Sequence, residues 1–144
     1  MAELPVNVKQ AVPFFGVTSI DESLRFYVEG LGFTKTIEWV NDGKLRWCWL
    51  QHGGAAVMLQ EFWTDGHHTG RPEGKLGQGV SVCFICENAL AFYREVTGRG
   101  IQAGKPFVGN GMWVTSLRDP DGYDLYFESV TDAPEEMEYD GREK

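Results

Sequence analysis

One pattern occurs twice in this chain. Ser23-Leu-Arg-Phe-Tyr-Val-Glu29 resembles Ala89-Leu-Ala-Phe-Tyr-Arg-Glu95, so that Leu24, Phe26, Tyr27 and Glu29 match Leu90, Phe92, Tyr93 and Glu95. An internal repeat restricts the fold more than composition does, because both halves must build the same unit. Both segments read as short amphipathic helices. Asp21 and Asn88 are suitable N-caps. Glycines at 30 and 32, and again at 98 and 100, mark where the helices stop.

The flanking segments match as well. A strand is expected before each helix, over Gln10 to Val17 and over Val80 to Cys86. A hairpin follows each helix. The first runs Leu45–Leu50, Gly53-Gly54, Ala55–Gln60; the second runs Met112–Leu117, Asp119-Pro-Asp-Gly122, Tyr123–Glu128. A further strand fits near Lys35 to Val40 and near Gly104 to Val108. The unit is then β-α-β-β-β, used twice, an α+β fold within a single domain over residues 1–144. Module one spans about 8–61, a Gly-rich polar linker 62–77, module two 78–130, and an acidic tail 131–144. The tail reads as solvated, or as a frayed helix.

Composition limits the function. Aromatic residues make up 13% and hydrophobic residues 42%, which is enough for a packed core. The net charge of −8 disfavours nucleic acid as a partner. No apolar run is long enough for a membrane span, and Met-Ala-Glu-Leu-Pro does not open like a signal peptide, so the expected location is cytoplasmic. The three cysteines, Cys48, Cys83 and Cys86, read as free thiols. Cys83 and Cys86 are three apart on a predicted strand, so they point to opposite faces and are assigned to core packing rather than to chelation. His52 falls in a turn. His67 and His68 fall in the linker, where solvation is expected, although Glu61 and Asp65 lie near them.

Asp21-Glu-Ser-Leu-Arg-Phe-Tyr27, Leu31-Gly-Phe33 and Leu117-Arg-Asp-Pro-Asp-Gly-Tyr123 carry a family resemblance. With the doubled β-α-β-β-β unit they resemble the vicinal-oxygen-chelate superfamily: glyoxalases, bleomycin-resistance proteins and extradiol dioxygenases. The likeness runs from about Val12 to Ser129. It implies two modules forming an open, curled mixed sheet around a cavity. Its motifs are structural, so they specify the fold better than the reaction.

In metal-using members the ligands come from the first and last strands of each half. Carried over by the repeat, those positions are Val12, Met58, Ser81 and Tyr126. Valine offers no donor, a thioether is soft, and hydroxyls are poor ligands for hard divalent ions unless deprotonated. Shifting by two residues gives Phe14, Gln60, Cys83 and either Asp124 or Glu128, which is no better a set. Metal is therefore not expected, and no cofactor is. The resemblance is nearest in character to the metal-free bleomycin-resistance proteins, which are dimers that hold a drug in hydrophobic clefts.

Strand parity names the residues that would line the cavity: Phe14, Trp47, Trp49, Met58 and Tyr126 as walls, with Gln60, Ser81, Ser116 and Glu128 as polar points. Val12, Val114, Cys83 and Asp124 share those faces. The leading expectation is a homodimer that binds a small apolar, flat or cationic molecule against its tryptophans. A lyase, isomerase or dioxygenase with a displaced metal, or a metal-free enzyme using Glu128 or Tyr126 as acid or base, is the alternative. A third reading is a degenerate member with a filled cavity that acts through contacts alone.

Overall fold

The computed structural model describes residues 5–142. In chain order the elements are β1 (Phe14–Val17), α1 (Ile20–Leu24) running into a π-helical turn (Arg25–Gly30), β2 (Thr34–Asn41), β3 (Lys44–His52) and β4 (Ala55–Glu61). The second module repeats this as β5 (Ser81–Ile85), α2 (Ala89–Gly98), β6 (Phe107–Gly109), β7 (Met112–Arg118) and β8 (Asp124–Val130). The strands form two four-stranded sheets, ordered β1-β4-β3-β2 and β5-β8-β7-β6. Both are mixed: β1 runs parallel to β4 and β5 parallel to β8, while the hairpin pairs are antiparallel. The doubled α+β unit is therefore present, built as two separate sheets.

Several element bounds differ from the expectation, for local reasons. The first strand begins at Phe14 rather than Gln10. Pro13 has no N–H for a ladder and contributes only its carbonyl, which accepts from the Met58 amide at 2.9 Å. The first helix is capped by Ser19, not Asp21: the Ser19 hydroxyl accepts from the Glu22 amide at 3.3 Å. Asn88 does cap α2, accepting from the Ala91 amide. The additional strand of module two is Phe107–Gly109, short and displaced from 104–108.

Most of the described tail is exposed, as expected, but it is also hydrogen-bonded to the second module rather than free. The Val108 amide donates to the Met137 carbonyl, and the Glu136 and Tyr139 amides donate back to Val108 and Pro106. The Glu135 carboxylate accepts from the Asn110 and Gly111 amides at 2.6 and 2.8 Å. Tyr139 packs edge-on against Trp113 and Tyr93. This segment therefore covers the outer edge of β6.

One core joins the halves. Phe15, Val17, Tyr27, Leu31 and Phe33 from the first module pack with Phe84, Leu117, Leu125 and Phe127 from the second. Phe15 stacks on Tyr123 at 4.3 Å between centroids, and Phe33 meets Phe84 edge-on. The Asp119-Pro-Asp-Gly122 turn acts as a latch between modules. Asp119 accepts from the buried Tyr27 hydroxyl at 2.8 Å and from the Asp121 and Tyr123 amides. Asp121 accepts from the Thr18 amide, and Tyr123 donates to the Gly16 carbonyl at 2.8 Å.

Candidate functional site

With one face of each sheet turned into the shared core, the opposite faces remain open. Register fixes their members. On the first sheet, Phe14, Met58, Trp49 and Ile37 are cross-strand neighbours in one row, and Gly16, Gln60, Trp47 and Trp39 in the next. The alternate residues Phe15, Cys48, Leu50, Val57 and Leu59 face the core. Phe14, Ile37 and Trp39 are 54%, 53% and 46% exposed, so this is an apolar surface without a full cover.

Its cover is partial and comes from the linker. Phe62 lies on Gly16, where an added Cβ would meet the ring at 2.2 Å. Trp63 contacts Trp39 edge-on at 5.6 Å and His68 at 4.6 Å, and the Arg46 guanidinium sits 4.4 Å above its ring. Gln60 Nε2 lies 3.0 Å from His68 Nδ1. His68 is thus half-buried and held, not solvated as the linker's composition suggested. A hollow of about 220 Å³ remains between Phe14, Gln60 and the linker residues Trp63, His67 and His68.

The second sheet's open face is larger and more polar. Its rows are Cys83, Tyr126 and Ser116, then Ile85, Glu128, Val114 and Phe107. With the end of α2 and residues 101–104 as a wall, they enclose a groove of about 870 Å³ lined by Val114, Ser116, Tyr126, Glu128, Arg118 and Asp124 among others. That volume is within the range of small-molecule sites. Gly104 lets the wall close over Ser116, since a Cβ there would stand 2.7 Å from its hydroxyl.

The candidate residues therefore fall on two surfaces of the chain. Phe14, Trp47, Trp49, Met58 and Gln60 share the first sheet's open face. Ser116, Tyr126 and Glu128 share the groove. Ser81 is exposed on the same side as Cys83 and Tyr126 but outside the groove's lining, and Val12 is half-buried just before β1. Trp39 and Trp63 belong to the first surface and were not among the candidates. The alternation of β2 with β3 marks Trp39, while Trp63 is carried there by the fold of the linker. Cys83 is exposed rather than a core residue, unlike Cys48 and the half-buried Cys86. It donates to Glu128 Oε2 at 3.0 Å. Although the residue is exposed, partial desolvation of its sulfur and the adjoining Glu128 carboxylate push the thiol up to about 12, so at neutral pH it remains a neutral donor.

The donor chemistry does not suit a divalent cation. At the four positions that the resemblance implies for metal ligands stand Val12, Met58, Ser81 and Tyr126. Among the described residues, His, Cys, Asp and Glu nowhere gather in a group of three able to hold an ion. No helix among them is long and apolar enough to cross a membrane.

Residues 10–127 match the profile of the glyoxalase/bleomycin resistance protein/dioxygenase superfamily. Among solved structures, a bleomycin-binding protein complexed with bleomycin is 25% identical, with 86% of this chain and 100% of that one covered at a TM-score of 0.64. An antibiotic-binding protein, TnmS3 from Streptomyces sp. CB03234, is 18% identical over 88% and 100%, with a TM-score of 0.66. A glyoxylase/bleomycin resistance protein/dioxygenase domain from Frankia sp. EAN1pec is 17% identical over 90% and 96%, with a TM-score of 0.68. No curated protein matches the chain.

Proposed function

The chain belongs to the glyoxalase/bleomycin resistance protein/dioxygenase superfamily, and from that membership we propose that it is a metal-free binding protein for a small, flat, largely apolar molecule. The observation that carries this is the open groove of about 870 Å³ on the second sheet, to which the first sheet adds a separate, uncovered aromatic face. Such a surface offers stacking area and a few polar anchors, the usual composition of a ligand site. The metal-assisted chemistry of enzymes in this superfamily needs donors that Val12, Met58, Ser81 and Tyr126 do not supply. Glu128 and Tyr126 are half-buried at the groove, a position that suits anchoring more than acid–base work, which favours a carboxyl sealed from water. Relatives that bind bleomycin or another antibiotic favour the same reading. In a homodimer, a second copy would lie over the open faces and complete the walls around the ligand.

The test is titration of the protein with a panel of flat aromatic antibiotics, bleomycin included, followed through tryptophan fluorescence. At least one saturable ligand is expected; where it stacks on the first sheet's aromatic face, Trp49→Ala should weaken it about tenfold, the loss of one stacked ring. Failure of every panel member to saturate would sink the reading. Metal analysis after incubation with Ni, Zn, Mn and Fe(II) should find far less than one ion per chain. Near-stoichiometric metal would return the chain to the enzyme class.

A further inference from the structure

The charges in the groove do not cancel. Arg118 and Asp124 face each other across the β7–β8 pair with Nε and Oδ1 3.0 Å apart, which neutralises both within the wall. Glu128 has no such partner: among the described residues, no lysine, arginine or histidine comes within ion-pair distance of it. Its hydrogen bond comes from Cys83 Sγ at 3.0 Å. That donor orients the carboxylate without cancelling its charge. Its cross-strand neighbours are Ile85 and Val114, with Phe107 one strand further on. Tyr126 lies two residues away on the same face.

From this arrangement we infer that the groove of the second module takes an organic cation, an ammonium or amidinium group on an apolar body, with Glu128 as its counter-charge. The inference rests on the binding reading above and names the chemistry of its ligand. The apolar body would lie along Tyr126, Val114 and Phe107, and the cationic head would meet Glu128. A charge-assisted hydrogen bond at a partly desolvated carboxylate is roughly twice as strong as a neutral one. The field around the groove has the same sign. Glu135 sits on the Asn110 amide at its margin, and the chain carries −8 overall, which draws cations in and repels anions.

Two probes with the same aromatic body separate the charge from the surface: naphthylmethylammonium and naphthylmethanol, titrated by calorimetry at neutral pH and low salt. On the native protein the ammonium should bind about tenfold tighter than the alcohol. Glu128→Gln should abolish the ammonium's advantage over the alcohol, bringing the ratio of the two affinities to about one. Glu128 is half-buried and the exchange is isosteric, so unfolding temperature should hold and confirm an intact fold. Equal binding of both probes to the native protein would overturn the cation assignment while leaving the binding reading standing. A preference that survives Glu128→Gln would overturn the role given to Glu128. Saturable binding of neither probe would overturn this inference and count against the binding reading too.

Discussion

Tyr27 ties the two modules together by a buried hydrogen bond. Its ring is fully buried, and its hydroxyl donates to Asp119 across 92 positions of sequence. Burial pushes the Asp119 carboxyl above the usual carboxylate range, while hydrogen bonds from the Tyr123 amide, the Tyr27 hydroxyl and the Asp121 amide pull it back. Tyr27→Phe removes one of those restraining bonds, so the folded-state pKa should rise further. A folded pKa above the unfolded one means the native state holds the proton more tightly, and the group's contribution is lost as pH rises through it. The variant should therefore lose about 1.5–3 kcal/mol at neutral pH and less below the carboxylate range, where Asp119 is protonated in both states. Urea unfolding at the two pH values measures this, and an equal loss at both would show that the hydroxyl acts by packing alone. The F-Y pair of the repeat was legible in the sequence. Its partner was not, because the turn aspartate reaches Tyr27 only after both modules have docked.

At the scale of elements, what sequence revealed and what it hid divide by locality. The helices, the main hairpins and the faces of the strands follow from period and turn chemistry, which act over a few residues. Cross-strand register therefore places Trp47, Trp49, Met58 and Gln60 together, as parity required. Local signals also existed for details that were misplaced. Ser19-Ile-Asp-Glu22 has the form of a capping box. Asp42-Gly43 and Asn110-Gly111 both adopt positive φ and close the β2–β3 and β6–β7 hairpins. The tail and linker were hidden for a different reason. Their polar composition describes what they expose, while Tyr139, Phe62 and Trp63 describe what they cover. Ending the chain after Ala133 should strip the backbone bonds at Val108 and Pro106, the Glu135 cap and the Tyr139 contact. We expect about 2–4 kcal/mol of stability to go, and the bared β6 edge to promote association. A thermal melt and light scattering report both. A truncated chain that melts at the native temperature would mean that the tail merely rests on the edge.

The whole molecule is unequal in how it protects its edges and faces. Its own tail closes the β6 side of the second sheet, yet all eight residues of β2 on the first sheet are exposed. Exposed apolar side chains lie on both open faces: Phe14, Ile37 and Trp39 on one, Ile85, Phe107 and Val130 on the other. An isolated domain rarely leaves so much apolar surface on two faces, and a second copy related by two-fold symmetry would cover a patch on each subunit at once. Residues that line the cavity in such an assembly could not be grouped from sequence, because parity assigns a face and says nothing of what stands opposite. The chain should therefore run as a dimer, at twice 16.2 kDa, in light scattering after size exclusion at micromolar concentration. Trp39→Glu sets a charge on the open face without touching the shared core, so it should shift that mass towards the monomer while the subunit stays folded by circular dichroism. A native chain that remains monomeric at high concentration would mean that these faces are covered by ligand alone, and the groove of one subunit would then have to bind unaided.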